Sequence, residues 1–344
     1  MRESKESAEI TETDLVIIEA LQLSPRATWA RIGSATDVDP TTAARRWRRL
    51  AESGMAWITA YQVSHAQRPL RAGFVDITCH PEAVRRVADE LASWPAVASV
   101  ERTTAAAQLF CLTLAESLSD LDDLVHRNVA EIPGVTGTSV RIATRPYREG
   151  SEWLVRALSG AQRAQLTDGS PAKPTTRDLL PEEQSIAMPL GIDGRRSSAE
   201  IAAALGYPEA LVRRRISRLV RDRVLRFRCD VSHVLAGWPV IAQLRLRVPG
   251  DRLDTIGKAL ATLPQTRLCL ATTGAENLLV QVWLRSPDEV ADLEHTITRR
   301  FPEVSVGCRD ITLRAVKRMG RLLDDRGRNI GYVPVASWSA SARA

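Results

Sequence analysis

The sequence predicts an α+β chain arranged as a tandem repeat, with two winged or helix-turn-helix domains and two βαββαβ ferredoxin-like domains. Three observations predict it. First, "RRWRRL" at 45–50 returns as "RRISRL" at 214–219, 169 positions later. Second, the same offset carries Ile32 onto Ile201, Pro95 onto Pro264, Thr103-Thr104 onto Thr272-Thr273, and "EIPGV" (131–135) onto "RFPEV" (300–304). "VSH" at 63–65 and again at 231–233 falls one residue out of step, which needs a single gap. Third, in each half helical periodicity gives way to alternating strands and amphipathic helices. A chain of 344 residues has room for several domains.

The expected boundaries are 10–64 for the first helix-turn-helix and 68–146 for the first ferredoxin-like domain. A linker with a short helix takes 147–178. The second helix-turn-helix takes 179–233, the second ferredoxin-like domain 238–318, and a C-terminal tail 319–344.

"TETDLVIIEALQLSP" opens with Thr and Asp caps and spaces Leu15, Ile18 and Leu21 on one face before Pro25 stops it. Thr28 caps a second short helix and is itself expected at the DNA. "DPTTAARRWRRLAESG" starts on Asp39 as N-cap with Pro40 at the first helical position, and Gly54 closes it. Ala43, Trp47 and Leu50 form its buried stripe, so Thr41, Thr42, Arg45, Arg46 and Arg49 face outward. "MAWITAYQV" follows as a strand or wing. Small hydroxyls at a helix start permit close approach to a major groove, and arginine pairs bidentately with guanine. The second copy buries Val212, Ile216 and Leu219 and presents Arg213, Arg214, Arg215 and Arg218. Ten arginines lie between Arg195 and Arg228, against Glu200, Glu209 and Asp222. Pro208, Glu209, Ala210 and Leu211 replace the Asp-Pro-Thr-Thr start, which suits holding phosphates more than reading bases.

"LRAGFVDITC", "HPEAVRRVADELASWP", "AVASVERTT", "AQLFCLTLA", "SLSDLDDLVHRNVAEIP" and "VTGTSVRIAT" give β, α, β, β, α, β, and the second half repeats the order. The helix-free sheet faces need cover, and two copies can supply it by packing face to face within the chain. Between the halves, Trp153, Leu154, Ala157 and Leu158 have helical spacing, and "TDGSPAKPTTRD" reads as a flexible linker.

Charge is +6 overall, with a pI of about 9.3. The start has no apolar stretch of the kind a secretory signal needs, and no run of 18 apolar residues spans a membrane. Five dispersed cysteines (Cys79, Cys111, Cys229, Cys269, Cys308) suit a reducing cytoplasm, with Cys79, Cys111 and Cys269 in apolar strands. The histidines (His65, His80, His126, His233, His295) are isolated, and P-loop, HExxH and GxSxG motifs are missing. No catalytic group, metal or cofactor is expected.

"TDLVIIEALQLSPRATWARIGSATDVDPTTAARRWRRLAESGMA" closely resembles the helix-turn-helix of the Lrp/AsnC transcription regulators. The resemblance runs along nearly the whole chain as two units. It implies a sequence-specific regulator that binds double-stranded DNA, with sensor domains that pair and respond to an amino acid or other small metabolite. The family's effector site lies at the turn between the second and third strands, where a glycine and an acidic residue are typical. In the second copy that turn is "TTGAEN", with Thr273, Gly274 and either Glu276 or Asn277 at the acidic position. "TTAAAQ" in the first copy lacks both features.

These features imply an intrachain pseudo-dimer, with homo-oligomers as a further level of assembly. The two DNA-binding units would meet adjacent half-sites of an asymmetric operator. A fused siroheme-decarboxylase-like tetrapyrrole enzyme of the same architecture is the alternative, and an interaction scaffold without DNA binding is a third class.

Overall fold

The computed structural model describes residues 9–62, 71–167 and 179–335. His65 with the first "VSH", the linker stretch 168–178 and the end 336–344 lie outside the described residues.

The first half runs α1 (Glu12–Leu23), α2 (Trp29–Thr36), α3 (Pro40–Glu52), β1 (Ala56–Gln62), β2 (Arg71–Cys79), α4 (Val84–Ala92), β3 (Val97–Thr103), β4 (Leu109–Ala115), α5 (Leu118–Asp122) and β5 (Val135–Arg148). After α5 the chain continues as a π-helical turn over Asp123–Val129. A short helix α6 (Gly160–Leu166) follows. The second half repeats the order as α7 (Pro181–Ile192), α8 (Ser198–Leu205), α9 (Glu209–Arg221), β6 (Leu225–Val231), β7 (Val240–Arg247), α10 (Leu253–Ala261), β8 (Thr266–Thr272), β9 (Leu278–Leu284), α11 (Glu289–Arg300) and β10 (Ser305–Arg318). β11 (Arg321–Leu323) and β12 (Asn329–Tyr332) end it.

Thr11 and Asp14 form the capping box of α1, and Asp39 caps α3 ahead of Pro40. Ala43, Trp47 and Leu50 are buried, as are Val212, Ile216 and Leu219 on α9. On α1, Ile17, Ile18 and Leu21 carry the core contact, while Leu15 is only half-buried.

The two sheets join by their edges. The order β10-β3-β4-β2-β5-β8-β9-β7 closes on itself, because β10 also pairs with β7. β5 crosses to β8, and β10 crosses to β3. This edge pairing was not part of the face-to-face arrangement that the sequence suggests. The helix-free faces do look at each other across the barrel interior, where Phe74, Phe110, Leu270 and Leu279 meet. The joint itself is backbone pairing. An open four-stranded sheet leaves two edges of unpaired N–H and C=O groups, and closure removes them. Each final strand is 14 residues long and so reaches both its own sheet and the other. Likewise β1 and β6 pair with each other, with Thr59 opposite Arg228. The wings are one ribbon shared by both halves.

One local expectation fails. Residues 153–158 are not helical. Trp153, Val155 and Leu158 are buried at extended spacing, and the N–H groups of Val155 and Leu158 donate to the Gln22 and Glu19 side chains of α1 instead of to helical carbonyls. Residues 319–335, expected only as the start of a C-terminal tail, are folded onto the first half. β11 and β12 form a hairpin whose Arg321 side chain, buried, donates to the Thr59 hydroxyl and to the Gly191 and Ile192 carbonyls. Asn329 N–H donates to the Gly54 carbonyl, and a Cβ on Gly54 would lie 2.2 Å from the Asn329 oxygen. Gly54 therefore closes α3 and also admits this hairpin.

Candidate DNA-binding faces and a candidate ligand cavity

The α3 face carries two kinds of arginine. Arg45 and Arg48 are exposed and make no ion pair among the described residues. Arg46 and Arg49 turn back onto Asp14, a fully buried carboxylate, at 3.1 and 2.6 Å. Asp14 titrates below its ordinary value: burial raises its pKa, but bonds from Thr11 and Arg46 and the charge of Arg49 outweigh that. The same latch recurs 169 positions on, where Arg215 of α9 lies 3.6 Å from the buried Glu183 of α7. Arg213 pairs with Glu209 and Arg218 with Asp222 along the helix, while Arg214 is exposed and unpaired among the described residues. Thr28 caps α2 through its hydroxyl, and Thr41 donates its hydroxyl to Asp39. Thr42 sits half-buried at the helix start. Of the residues expected at DNA, Arg45, Arg213, Arg214 and Arg218 project outward, whereas Arg46, Arg49 and Arg215 hold the helix to its neighbour. Arg48 was missed; its spacing of three from Arg45 places it on the same outer face.

A reciprocal clasp fixes the two helix-turn-helix units. Arg26 donates to the carbonyls of Gly194 (2.6 Å) and Arg196, and Arg195 donates to those of Pro25 (2.8 Å) and Ala27. Each contact maps onto the other under the 169-residue offset.

The residues of the hairpin expected to hold an effector have these partners. Asn277 is bonded through its amide to both backbone groups of Val248, as Gln108 is to Cys79 in the first half. The Thr273 hydroxyl accepts from Ile142 N–H across the barrel seam, matched by Thr104 and Ile311. Gly274 has φ +104°, which suits glycine in this turn. Glu276 lies 3.9 Å from Arg247. The structure thus commits Thr273 and Asn277 to backbone partners.

A cavity of about 470 Å³ opens at one mouth of the barrel, beneath the β1–β6 ribbon. Its apolar wall includes Phe74, Phe110, Leu112, Leu114, Leu268 and Leu270, and Phe74 and Phe110 stack with centroids 5.6 Å apart. Its polar wall carries Arg226, Arg228, Arg267 and Arg318. The space that the repeat relates to its Leu114 side is filled at the same mouth, beside Arg267 and Arg318. Trp283 stands where the first half has Leu114, and Trp153 packs on it at 4.7 Å and on Trp238 at 5.0 Å.

Charge on the arginine wall is unevenly matched. Arg226 lies 3.9 Å from Glu149. Arg228 and Arg267 both bond the single buried Asp230. Burial raises the Asp230 pKa, but these guanidiniums outweigh it and hold it at about 2. Burial brings Arg267 down to about 9 and lowers Arg318 as well. Arg318 has His233 as its side-chain neighbour at 3.4 Å, and its buried Nη1 has no hydrogen-bond partner. His233 is neutral, with burial first and then Arg318 and Arg267 depressing it to about 2. Glu101 also lines the cavity, already bonded by Gln243 (3.0 Å), Gln281 (3.1 Å) and Thr312 (2.6 Å). Among the described residues no histidine lines this space: His80 and His295 are elsewhere, and His126 pairs with Asp122. The described residues include no group of three or more His, Cys, Asp and Glu side chains suited to a metal. No described helix is long and apolar enough to cross a membrane. Cys79, Cys111, Cys229 and Cys269 are buried, with thiol pKa values raised mainly by burial.

No motif or spacing marked the cavity. Its walls come from β1 through β6, from β8, β9 and β10, and from Met319 and Val335, brought together only by barrel closure.

Comparison with known proteins places these features in a family. Residues 10–51 match the AsnC-type helix-turn-helix domain, and residues 72–153 match the Lrp/AsnC ligand binding domain. An uncharacterised HTH-type transcriptional regulator of Pyrococcus furiosus is 31% identical over 101 residues, covering 29% of this chain and 68% of that protein. One from Pyrococcus abyssi is 29% identical over 123 residues, 36% of this chain and 76% of that protein. In fold, siroheme decarboxylase NirDL is similar over 95% of this chain and 96% of its own, with TM-score 0.60 and 16% identity. From its helix-turn-helix and ligand-binding domains and its relatives, the chain belongs to the Lrp/AsnC family of HTH-type transcriptional regulators.

Proposed function

We propose that this protein is a sequence-specific DNA-binding regulator in which one polypeptide does the work of a family homodimer. The Arg26–Arg195 clasp carries this reading. It holds two arginine-faced helices, α3 and α9, in a fixed two-fold relation, as two half-site contacts require. The reciprocal contacts at the 169-residue offset support a tandem duplication of one two-domain unit. Because the exposed residues of α3 and α9 differ, the two halves have diverged toward an asymmetric operator. A small-molecule effector bound to the sensor barrel regulates DNA affinity. Covalent fusion makes the pairing intramolecular, so it does not depend on concentration.

The test titrates the full chain against DNA from upstream of its own gene and against scrambled DNA, at several salt concentrations. Selective binding whose affinity falls steeply with salt is expected, since arginine–phosphate contacts release counterions. Equal affinity for both DNAs sinks the reading of a sequence-specific regulator of its own gene.

The rival is a tetrapyrrole enzyme, favoured by the arginine-lined cavity. It requires a tetrapyrrole absorption change on mixing with iron-uroporphyrin and turnover of a carboxylated tetrapyrrole.

A further inference from the structure

We infer that the barrel-mouth cavity is a binding site for a carboxylate carried on an apolar, flat body. This deepens the effector half of the reading above and rests on it only for the link to DNA; occupancy is independent of it.

The half-buried Arg228 and the buried Arg267 both pair with the buried Asp230, while the buried Arg318 makes no ion pair among the described residues and feels Asp230 and Glu101 only through space. Buried charge without a partner is costly, and a bound anion removes that cost. Arg318 points to where the anion sits. It lines the cavity, is 6% exposed and makes no ion pair among the described residues; its Nη2 lies 3.4 Å from the neutral His233, its guanidinium 5.0 Å over the Trp283 ring, and its buried Nη1 has no hydrogen-bond partner, so an anion meets it after a small side-chain movement. A guanidinium offers a planar fork that matches a carboxylate. Glu101 accepts from Gln243, Gln281 and Thr312 and keeps its charge, which acts on Arg318 and keeps an anion off its own side of the cavity. That arrangement orients the ligand, with the carboxylate toward Arg318 and the apolar body over Phe74, Phe110 and Leu112. A mostly apolar wall with a few convergent polar groups, at about 470 Å³, has the proportions of a small-molecule site.

The cavity straddles the pseudo-two-fold axis, and the two halves line it unequally. Trp283, with Trp153 packed on it, fills the place that the first half gives to Leu114, and Arg267 and Arg318 lie over its ring. One cavity on the axis gives one ligand per chain. Arg226 and Arg228 lie on β6, which directly follows α9, so an anion held there touches the strand that carries the second DNA-facing helix.

The probe is 1-naphthoate, titrated calorimetrically into the full chain without DNA, beside uncharged 1-naphthalenemethanol. We expect one site per chain, with the acid binding about tenfold or more tighter than the alcohol, the range of one charged hydrogen bond. Arg318→Met should abolish that preference. Leu112→Trp, which keeps every arginine and fills the apolar wall, should abolish binding of both compounds. Near-ultraviolet circular dichroism identifies a misfolded variant, and if Arg318→Met misfolds, Leu112→Trp and the acid–alcohol comparison still decide. Equal binding of acid and alcohol overturns the proposal, as does undiminished binding by folded Leu112→Trp or no binding of the acid. Naphthoate binding with this pattern, in a chain that fails to select DNA, would sustain the site while removing the regulator reading.

Discussion

Arg245 lies 169 residues after Asp76 and donates to both oxygens of its carboxylate, at 2.6 and 3.0 Å. Since 169 is the repeat offset, these two side chains stand at equivalent positions of the two halves and meet at the pseudo-two-fold axis. Their partners are exchanged too: Arg141 pairs with Asp76 in the first half, and Asp310 lies 3.7 Å from Arg245 in the second. Two identical subunits would place like charges face to face here. Two different halves alternate them.

This quartet gives a stability prediction. Arg245→Met should destabilise the chain by about 3–5 kcal/mol in denaturant unfolding, because it leaves buried carboxylates short of a partner. Arg245→Asp, which makes the equivalent positions alike, should cost more. A cost for Arg245→Asp no larger than for Arg245→Met would show that charge alternation does not matter.

The two classes of arginine on α3 should separate by assay. Arg45→Ala should leave the unfolding midpoint within error and lower DNA affinity, with the log-affinity against log-salt slope falling by about 1 if the contact is to phosphate. Arg46→Met should lower stability by about 1–3 kcal/mol through the buried Asp14. Arg214→Ala should behave like Arg45→Ala, and Arg215→Met like Arg46→Met. A stability loss on Arg45→Ala matching that of Arg46→Met would contradict the division.

His233 sets an acid sensitivity. Its folded pKa of about 2 lies below the ordinary 6.5, so between these values the unfolded chain holds a proton that the folded chain lacks. Stability attributable to His233 is therefore complete above pH 6.5 and is lost as pH falls, by up to about 1.4 kcal/mol per pH unit. Asp230, depressed to about 2 from 3.8, adds a loss of the same sign below about pH 4. His233→Gln should flatten the unfolding free energy between pH 6.5 and about 4. An unchanged slope in that variant would assign the acid loss to other groups.

Two turns expose the divergence of the halves. The left-handed residue ending α2 is Asp37 (φ +56°), and its equivalent after α8 is Gly206 (φ +68°). After α3 the first half has Gly54 (φ +70°), and after α9 the second has Arg223 (φ +55°). Non-glycine residues cost about 1–2 kcal/mol in this region, offset in part by glycine's greater unfolded entropy. Asp37→Gly and Arg223→Gly should each raise stability by about 1 kcal/mol or less, measured as a rise in Tm.

The chain's local physics was readable from the sequence. Asp39 and Pro40 start α3, Ala43, Trp47 and Leu50 bury its inner stripe, and the βαββαβ order follows from alternating periodicity, because caps and periodicity act over a few residues. The offset of 169 likewise exposed the two-unit plan. The structure decided matters that depend on partners far apart in sequence. Arg45 and Arg46 are neighbours of the same type, and only the location of Asp14 separates a free guanidinium from a latched one. The helical spacing of Trp153 to Leu158 was overridden by the Gln22 and Glu19 side chains, 133 and 139 residues away. The Asp76–Arg245 pair and the arginine-lined cavity exist because the barrel closes. Strand pairing and buried charge are long-range energies, so the positions that they bring together carry no local signature.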